Sequence, residues 1–330
     1  MARAARGAAL VERLAAIEEA GGDGTLRLPG GAALELTHLA RVVFPKDGIT
    51  KGDLLRYYAR MSPFVLPTMA DRPLVLRRFP RGIAGPAFYQ QRAPAEPPDG
   101  VRVEPVQEAN GTTRLRFVGG SLATLLHTIQ LGAISVDPWH ARVGSLATPD
   151  YTIVDLDPGP KAPFARVVEV ALLVKEEMDA LGLRGAVKTS GSSGLHIYLP
   201  LPPSTPEETA RLLAQLVATR VAERHPRIAT IERSVRARPA GAVYVDYLQN
   251  IGGKTVAAAW CVRAKSGATV STPLAWDELD DDLDPRAFTI ETVPDRAARD
   301  GDRWAKAMKA RNPLRDLLAG GARRAHAGAA

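Results

Sequence analysis

Tyr151 to Lys161 reads Y-T-I-V-D-L-D-P-G-P-K, and the rest of the chain is organised around this stretch. Tyr151 to Leu156 is a short apolar run rich in β-branched residues, the pattern of a strand buried in a sheet. Pro158-Gly159-Pro160 then stops it abruptly. Asp155 and Asp157 flank Leu156 at its end. Side chains alternate along a strand, so these two carboxylates face the same way, about 7 Å apart. Like charges held that close repel unless a cation lies between them, and oxygen ligands suit Mg²⁺ or Mn²⁺. The plainer alternative is a strand end whose second aspartate caps the following turn, as Asp before Pro often does. For a D-x-D alone the plainer alternative wins; residues downstream tip the balance.

With 330 residues, 45% hydrophobic and 24% charged, the chain has the composition of a globular protein with a large core. One big domain and two coupled subdomains both fit that length. No apolar run approaches a membrane span, and M-A-R-A-A-R-G-A-A-L lacks the apolar core and cleavage site of an export signal. A cytoplasmic protein without a membrane partner is therefore expected. A single cysteine, Cys261, excludes an internal disulfide and a multi-cysteine zinc site. The net charge of +7 is carried mostly by arginine, whose fork matches phosphate, so a polyanionic partner is favoured. A GC-rich genome that places Arg wherever Lys would serve explains the bias equally well.

Residues 8–20 have helical spacing and end at Gly21-Gly22, which predicts an N-terminal helical extension over 1–30. A strand pattern follows at 33–36. Thr50 with Asp53 has the form of a capping box and predicts a helix from Lys51 to about Met61. His38, Arg41, Lys46 and Lys51 gather around the preceding loop and the helix start, as a natural anion site or a solvated basic loop. Arg72 to Pro80 alternates as a strand, with Leu74 and Leu76 on one face and Val75 and Arg77 on the other. Phe88-Tyr89 lies between Gly/Pro-rich flanks, as a base-stacking platform or as ordinary core.

Ser121 to Leu131 reads as an amphipathic helix and Ala133 to Val136 as a strand closed by D-P-W-H. After the D-x-D come a helix over Pro163–Leu181, a strand from Val187, and a helix capped by Ser204 and Glu207 that runs to about His225. Strands are expected near 228–231 and 242–247. This alternation argues for an α/β or α+β sheet protein, not a sandwich or a bundle. The main domain is expected over 31–300. Residues 301–330 read as a basic C-terminal helix over Trp304–Leu318 and a flexible Ala/Gly/Arg tail.

Ser190-Gly191-Ser192-Ser193-Gly194-Leu195-His196 is the second landmark. Glycines and small hydroxyls let backbone N–H groups approach phosphate oxygens, and His196 opens a strand from which it could donate to a triphosphate. A flexible hairpin with an incidental histidine is the alternative. V-Y-V-D-Y-L-Q-N at 243–250 is the third landmark. Asp246 lies on an alternating strand and could stand as a third carboxylate beside Asp155 and Asp157. Three such acids can hold two divalent ions about 3.5–4 Å apart, one activating a hydroxyl and one gripping a triphosphate. Arg263, in W-C-V-R-A, is placed to meet a phosphate or to pair with these acids.

Together D-L-D-P-G, T-S-G-S-S-G-L-H, V-D-Y-L-Q-N and V-R-A…G-A-T-V-S-T-P-L-A-W-D-E-L resemble the polymerase domain of bacterial ligase D. That domain belongs to the archaeo-eukaryotic primase superfamily and serves non-homologous end joining. The likeness runs in order from about Leu34 to about residue 290. It implies an α+β, archaeo-eukaryotic-primase-like fold of two α/β layers with an RNA-recognition-motif-like catalytic sheet. It also implies an enzyme that extends or gap-fills DNA ends from nucleoside triphosphates, with ribonucleotides and Mn²⁺ favoured and two divalent ions, Mn²⁺ or Mg²⁺, as cofactor. By position, Asp155, Asp157 and Asp246 match the metal-binding acids, and Asp246 would be the group nearest the primer hydroxyl. Ser190, Gly191, His196 and Arg263 match triphosphate contacts, and Gln249 a residue near the sugar. Lys51, with Arg41 and His38, matches a pocket for the 5′-phosphate of a gapped or broken end. Tyr89, beside Phe88, matches an aromatic against the template.

Some positions depart from the family. Asp137 stands where His is common before Pro-Trp, and Gln91 and Ala242 replace common lysines. Arg77 replaces a nucleotide-contacting Lys, keeping the charge but changing its geometry. These changes spare the metal acids and bear on nucleotide affinity and the incoming base. The length leaves no room for a ligase domain, so a free-standing form is expected, working with Ku and a separate ATP-dependent DNA ligase. Two other readings stay open: a de novo primase, and a non-catalytic module that binds and aligns DNA ends.

Overall fold

The structure is a computed structural model that describes residues 2–108, 110–312 and 314. Its first half is a helix-backed layer. Helix α1 (Ala2–Glu19) is followed by a hairpin of β1 (Gly24–Arg27) and β2 (Ala33–Leu36), then by the short pair β3 (Val42–Phe44) and β4 (Ile49–Thr50). Helix α2 (Lys51–Thr68) lies along α1, and Leu10 and Leu14 share one core with Leu54, Leu55 and Tyr58. The capping box is present: Thr50 Oγ1 accepts from the Asp53 amide, and the Asp53 carboxylate accepts from the Thr50 amide.

This helix does not end near Met61 as its sequence predicts; it continues through Pro63 and Pro67. Pro63 removes the amide that would serve the Ala59 carbonyl, and Ser62 Oγ donates to that carbonyl instead, at 2.9 Å. Next come β5 (Leu74–Arg78), β6 (Phe88–Gln90), the hairpin β7 (Val103–Gln107) and β8 (Thr113–Phe117), α3 (Leu122–Gln130) and β9 (Ala133–Pro138). β5 is the middle of an antiparallel sheet between β6 and β9. Leu74 and Leu76 enter the main core, whereas Val75 packs with Val106 and Trp139 on the other side.

The second half supplies β10 (Tyr151–Pro158), α4 (Phe164–Ala180), β11 (Ala186–Thr189), β12 (Leu195–Pro200), α5 (Glu207–Arg224), β13 (Ala229–Thr230), β14 (Val243–Asp246) and β15 (Pro273–Leu274). They form one sheet in the order β13-β14-β10-β12-β11-β15. Its four central strands are mutually antiparallel and arise from a split β-α-β-β-α-β run. This is the RNA-recognition-motif-like sheet the resemblance implies. Helices α4 and α5 cover one face, where Val154, Leu156, Ile197 and Val245 pack with Val167, Val174, Leu213 and Val217. Tyr151, Ile153, Ala186 and Tyr198 project from the opposite face into the first core. β10 thus lies between two cores, which is why it reads as an unbroken apolar run.

The expected Ser204 cap of α5 is not formed. Ser204 sits at φ +63° and the helix starts after Pro206, without a side-chain cap. The Glu207 carboxylate instead accepts from the Gly252 amide at 2.8 Å. Near the C-terminus α6 (Val293–Asp300) leads to α7 (Arg303–Ala307), so the expected helix from Trp304 is interrupted after Ala307. Beyond it, Asn312 bonds the Arg184 backbone and donates to the Pro200 carbonyl. The expected tail from Ala319, and the end of that helix from residue 315, lie outside the described residues. No helix among the described residues is long and apolar enough to cross a membrane.

Candidate active site

The ladder register sets Asp246 opposite Asp155, Asp155 opposite His196, and His196 opposite Lys188. Four chemically active side chains therefore form one row across β14, β10, β12 and β11, on the face away from α4 and α5. All four are buried. Asp157, one step along β10 on the same face, pairs with Tyr244 and is exposed. The three acids are thus neighbours on one sheet face. They are not drawn into a closed chelate: among the described residues no group of three or more His, Cys, Asp or Glu has metal-holding geometry. Asp246 is engaged locally instead, accepting from Tyr244 OH at 3.2 Å, the Leu248 amide at 2.7 Å and Gln249 Nε2 at 3.0 Å.

The electrostatics match that crowding. Burial, then the charges of Asp157 and Asp246, push the Asp155 carboxyl well above the usual carboxylate range. Burial and Asp246 likewise raise Asp157, with Arg238 opposing. An all-oxygen set whose members disfavour one another's charge fits a hard divalent cation, which removes the repulsion. His196 Nε2 lies 3.3 Å from Asp155 Oδ1. Burial and the nearby Lys188 and Arg263 push His196 well below its ordinary value, so it is neutral.

The Gly/Ser turn lies against the end of β10: a Cβ on Gly194 would stand 2.1 Å from the Leu156 carbonyl oxygen. Ser190 Oγ accepts from the Ser192 and Gly194 amides, both at 3.1 Å, so part of the expected amide cradle is spent inside the turn. Gly191 adopts φ +68°, which glycine tolerates, and its carbonyl accepts from Thr269 Oγ1 at 2.6 Å. Arg263 donates to the Ser190 carbonyl at 3.1 Å, which brings its guanidinium to the turn beside the acid row.

Arg77, on β5, extends over the Phe79 and Tyr89 rings at 5.2 and 5.8 Å. Tyr89 is 63% exposed and Phe88 47%, so the pair is a surface platform and not core. His38, Arg41 and Lys51 line one cleft of about 330 Å³, joined by Arg78 and Gln130, which sequence reading missed. Lys51 Nζ donates to the Thr37 carbonyl at 2.7 Å. Burial and the Arg41 charge lower its pKa to about 8.

The row also contains residues that no motif announces. Lys188 is fully buried, and burial together with Arg263 lowers its pKa to about 7 against the pull of Asp155. Arg238 stacks 3.4 Å over the Tyr244 ring next to Asp157. Alternation from His196 and the apolar strand around Lys188 would have pointed to a buried lysine; nothing local marks Arg238. Of the family departures, Asp137 is buried and accepts from Ser135 Oγ. Gln91 Oε1 accepts from Arg116 at 3.0 Å, and Ala242 is buried.

A split β-α-β-β-α-β sheet carrying acids at its centre, with a Gly/Ser turn and an arginine alongside, defines a primase-polymerase type of nucleotidyltransferase. Comparison with known proteins agrees. The profile of the LigD primase-polymerase domain matches residues 50–304, and the chain belongs to that family. It is 33% identical over 293 residues to the multifunctional non-homologous end joining DNA repair protein LigD of Mycobacterium tuberculosis, covering 86% of this chain and 38% of that protein. It is 32% identical over 272 residues to the bifunctional non-homologous end joining protein LigD of Bacillus subtilis, covering 81% and 43%. The chain thus spans less than half the length of these relatives. The polymerase domain of Mycobacterium tuberculosis ligase D, solved in complex with DNA, superposes with a TM-score of 0.77 at 32% identity, covering 83% of this chain and 98% of that one.

Proposed function

We propose that this chain is the DNA-end-extending, gap-filling nucleotidyltransferase of a non-homologous end-joining system. The observation that carries the reading is the cross-strand row Asp246–Asp155–His196, with Asp157 one step along the same face. Asp155, Asp157 and Asp246 would hold one or two divalent ions, Mn²⁺ or Mg²⁺, which lower the pKa of an attacking hydroxyl and neutralise a triphosphate. Asp246, in contact with Gln249 and Tyr244, faces the primer terminus. His196 donates from Nε2 toward the triphosphate, and Arg263 adds a fixed positive charge from the turn at Ser190. Gln249 lies toward the sugar, and Arg77 toward the nucleotide next to its stacking platform.

Outside this row, Tyr89 and Phe88 receive template bases, because any base can stack on an exposed ring. His38, Arg41 and Lys51 receive a 5′-phosphate in their cleft. The wider setting belongs to the same proposal: gapped or 5′-phosphorylated DNA, a Ku-type end-binding partner and an ATP-dependent ligase activity. Incubation with Mn²⁺, ribonucleotides and a 5′-phosphorylated gapped duplex is the test. Extension that disappears in Asp155→Asn is the expected result; no extension by the wild type sinks the reading.

A further inference from the structure

The row of paired side chains continues past His196 to a residue the functional reading does not use. Lys188 Nζ lies 2.7 Å from His196 Nδ1 and 2.6 Å from Ser271 Oγ. The Ser271 hydroxyl donates to the Thr189 carbonyl at 2.8 Å, so toward Lys188 it can only accept. An ammonium has three donors and no acceptor. His196 Nδ1 must then accept from it, and the single proton of a neutral imidazole is left on Nε2. That nitrogen is the one facing Asp155, at 3.3 Å. Burial and Arg263 lower the Lys188 pKa to about 7 against the pull of Asp155, so the ammonium is the form present below that pH.

An ionised Asp155, which can only accept, favours the same tautomer from the Nε2 side at 3.3 Å, so Lys188 acts on Nδ1 at 2.7 Å in concert with it. Ser271 reaches the site from outside the central strands, in the segment that runs from Trp260 to β15, where the Trp260 amide donates to its carbonyl at 2.7 Å. The segment that delivers Arg263 to the Gly/Ser turn therefore also anchors Lys188.

We propose that Lys188 is a positioning residue that locks His196 in the Nε2–H tautomer and aims that N–H at Asp155 and at the incoming triphosphate. The second half of this rests on the nucleotidyltransferase reading; the tautomer does not. The full chain, labelled with ¹⁵N and free of nucleotide, is examined by long-range imidazole NMR on the slightly acidic side of neutrality. His196 is assigned by comparison with His196→Gln. The expected spectrum has the proton on Nε2. Lys188→Met should move protons onto Nδ1 and raise KM for the nucleoside triphosphate by roughly tenfold to a hundredfold, the scale of one hydrogen bond to a charged group, with a smaller change in kcat.

Ser271→Ala keeps the Lys188–His196 bond and should keep the tautomer. A wild-type spectrum with the proton on Nδ1 overturns the positioning role, even if Lys188→Met does not fold. So does a folded Lys188→Met protein with unchanged tautomer and unchanged KM. The Nε2–H tautomer in a wild type that binds no nucleotide removes only the half that depends on the enzyme reading.

Discussion

Asp155 and Asp246 stand directly opposite each other on the β10–β14 ladder, although two helices and three strands separate them in the chain. Residues paired in this way have Cα atoms about 4.5–5.5 Å apart. Two buried carboxylates at that spacing destabilise each other when both are ionised, so the fold maintains a repulsion that a bound cation would relieve.

A first prediction follows for stability. The Asp155 pKa is raised in the folded chain, so the unfolded chain holds that proton less tightly. Folding is then weakened as pH rises from the ordinary carboxylate range through the raised value. Without divalent ions the protein should melt lower at neutral than at mildly acidic pH, and Mn²⁺ should raise Tm at neutral pH by mass action. Asp155→Asn should remove most of the Mn²⁺-dependent rise and cut nucleotide incorporation by roughly a thousandfold or more. Scanning calorimetry with chelator or Mn²⁺ checks this; an unchanged Mn²⁺ response in the variant would contradict it.

A second prediction concerns the cleft of His38, Arg41 and Lys51. Lys51→Ala should weaken binding to a 5′-phosphorylated gap and leave an unphosphorylated one nearly unaffected. Because the Lys51 pKa is lowered to about 8, the preference for the phosphate should fade as pH rises through that value, when the ammonium loses its charge. Titration of the two duplexes at several pH values measures both effects. Equal loss on both duplexes would reduce the cleft to generic basic attraction.

Tyr89 offers a separation of function. It is 63% exposed, so Tyr89→Ala should leave Tm essentially unchanged. A lost stacking partner should cost about 1–3 kcal/mol of affinity for templated single strands. Fluorescence anisotropy with a tailed duplex, set beside a melting curve, reads both. An affinity equal to wild type would end the platform assignment.

Gly194 carries the opposite expectation. A methyl group there would meet the Leu156 carbonyl oxygen at 2.1 Å, a contact no side-chain rotation relieves. Gly194→Ala should destabilise the fold at the upper end of the usual range of about 0.5–3 kcal/mol, because β10 or the turn must shift. Urea unfolding supplies the number; a variant as stable as wild type would show that the turn can move away from β10.

Much of this protein is legible in local pattern. Alternation places Asp155 and Asp157 on one face, and the capping box marks Lys51 as a helix start. Both rest on short-range geometry, and both hold in the structure. Where the first local reading misleads, another hydrogen bond has intervened. Ser204 does not cap α5 because it lies two residues before the Pro206 N-cap at φ +63°, and Glu207 binds the Gly252 amide instead; α2 outlasts Met61 because Ser62 serves the carbonyl that Pro63 leaves free. Lys188 escaped notice for a related reason. The strand pattern hints that it is buried, but only the fold brings Ser271 and His196 to bond it.

The sequence by itself determined the main strands and helices of the second half, the three acids, the Gly/Ser turn and the motif set that marks the family, since these depend on residue type and near-neighbour spacing. Tertiary structure alone decided that Asp246, Asp155, His196 and Lys188 fall in one register, and that Arg263 and Ser271 close on the row from another segment. Strand register is set by which apolar faces two separate cores must bury, a global condition that no window along the chain contains.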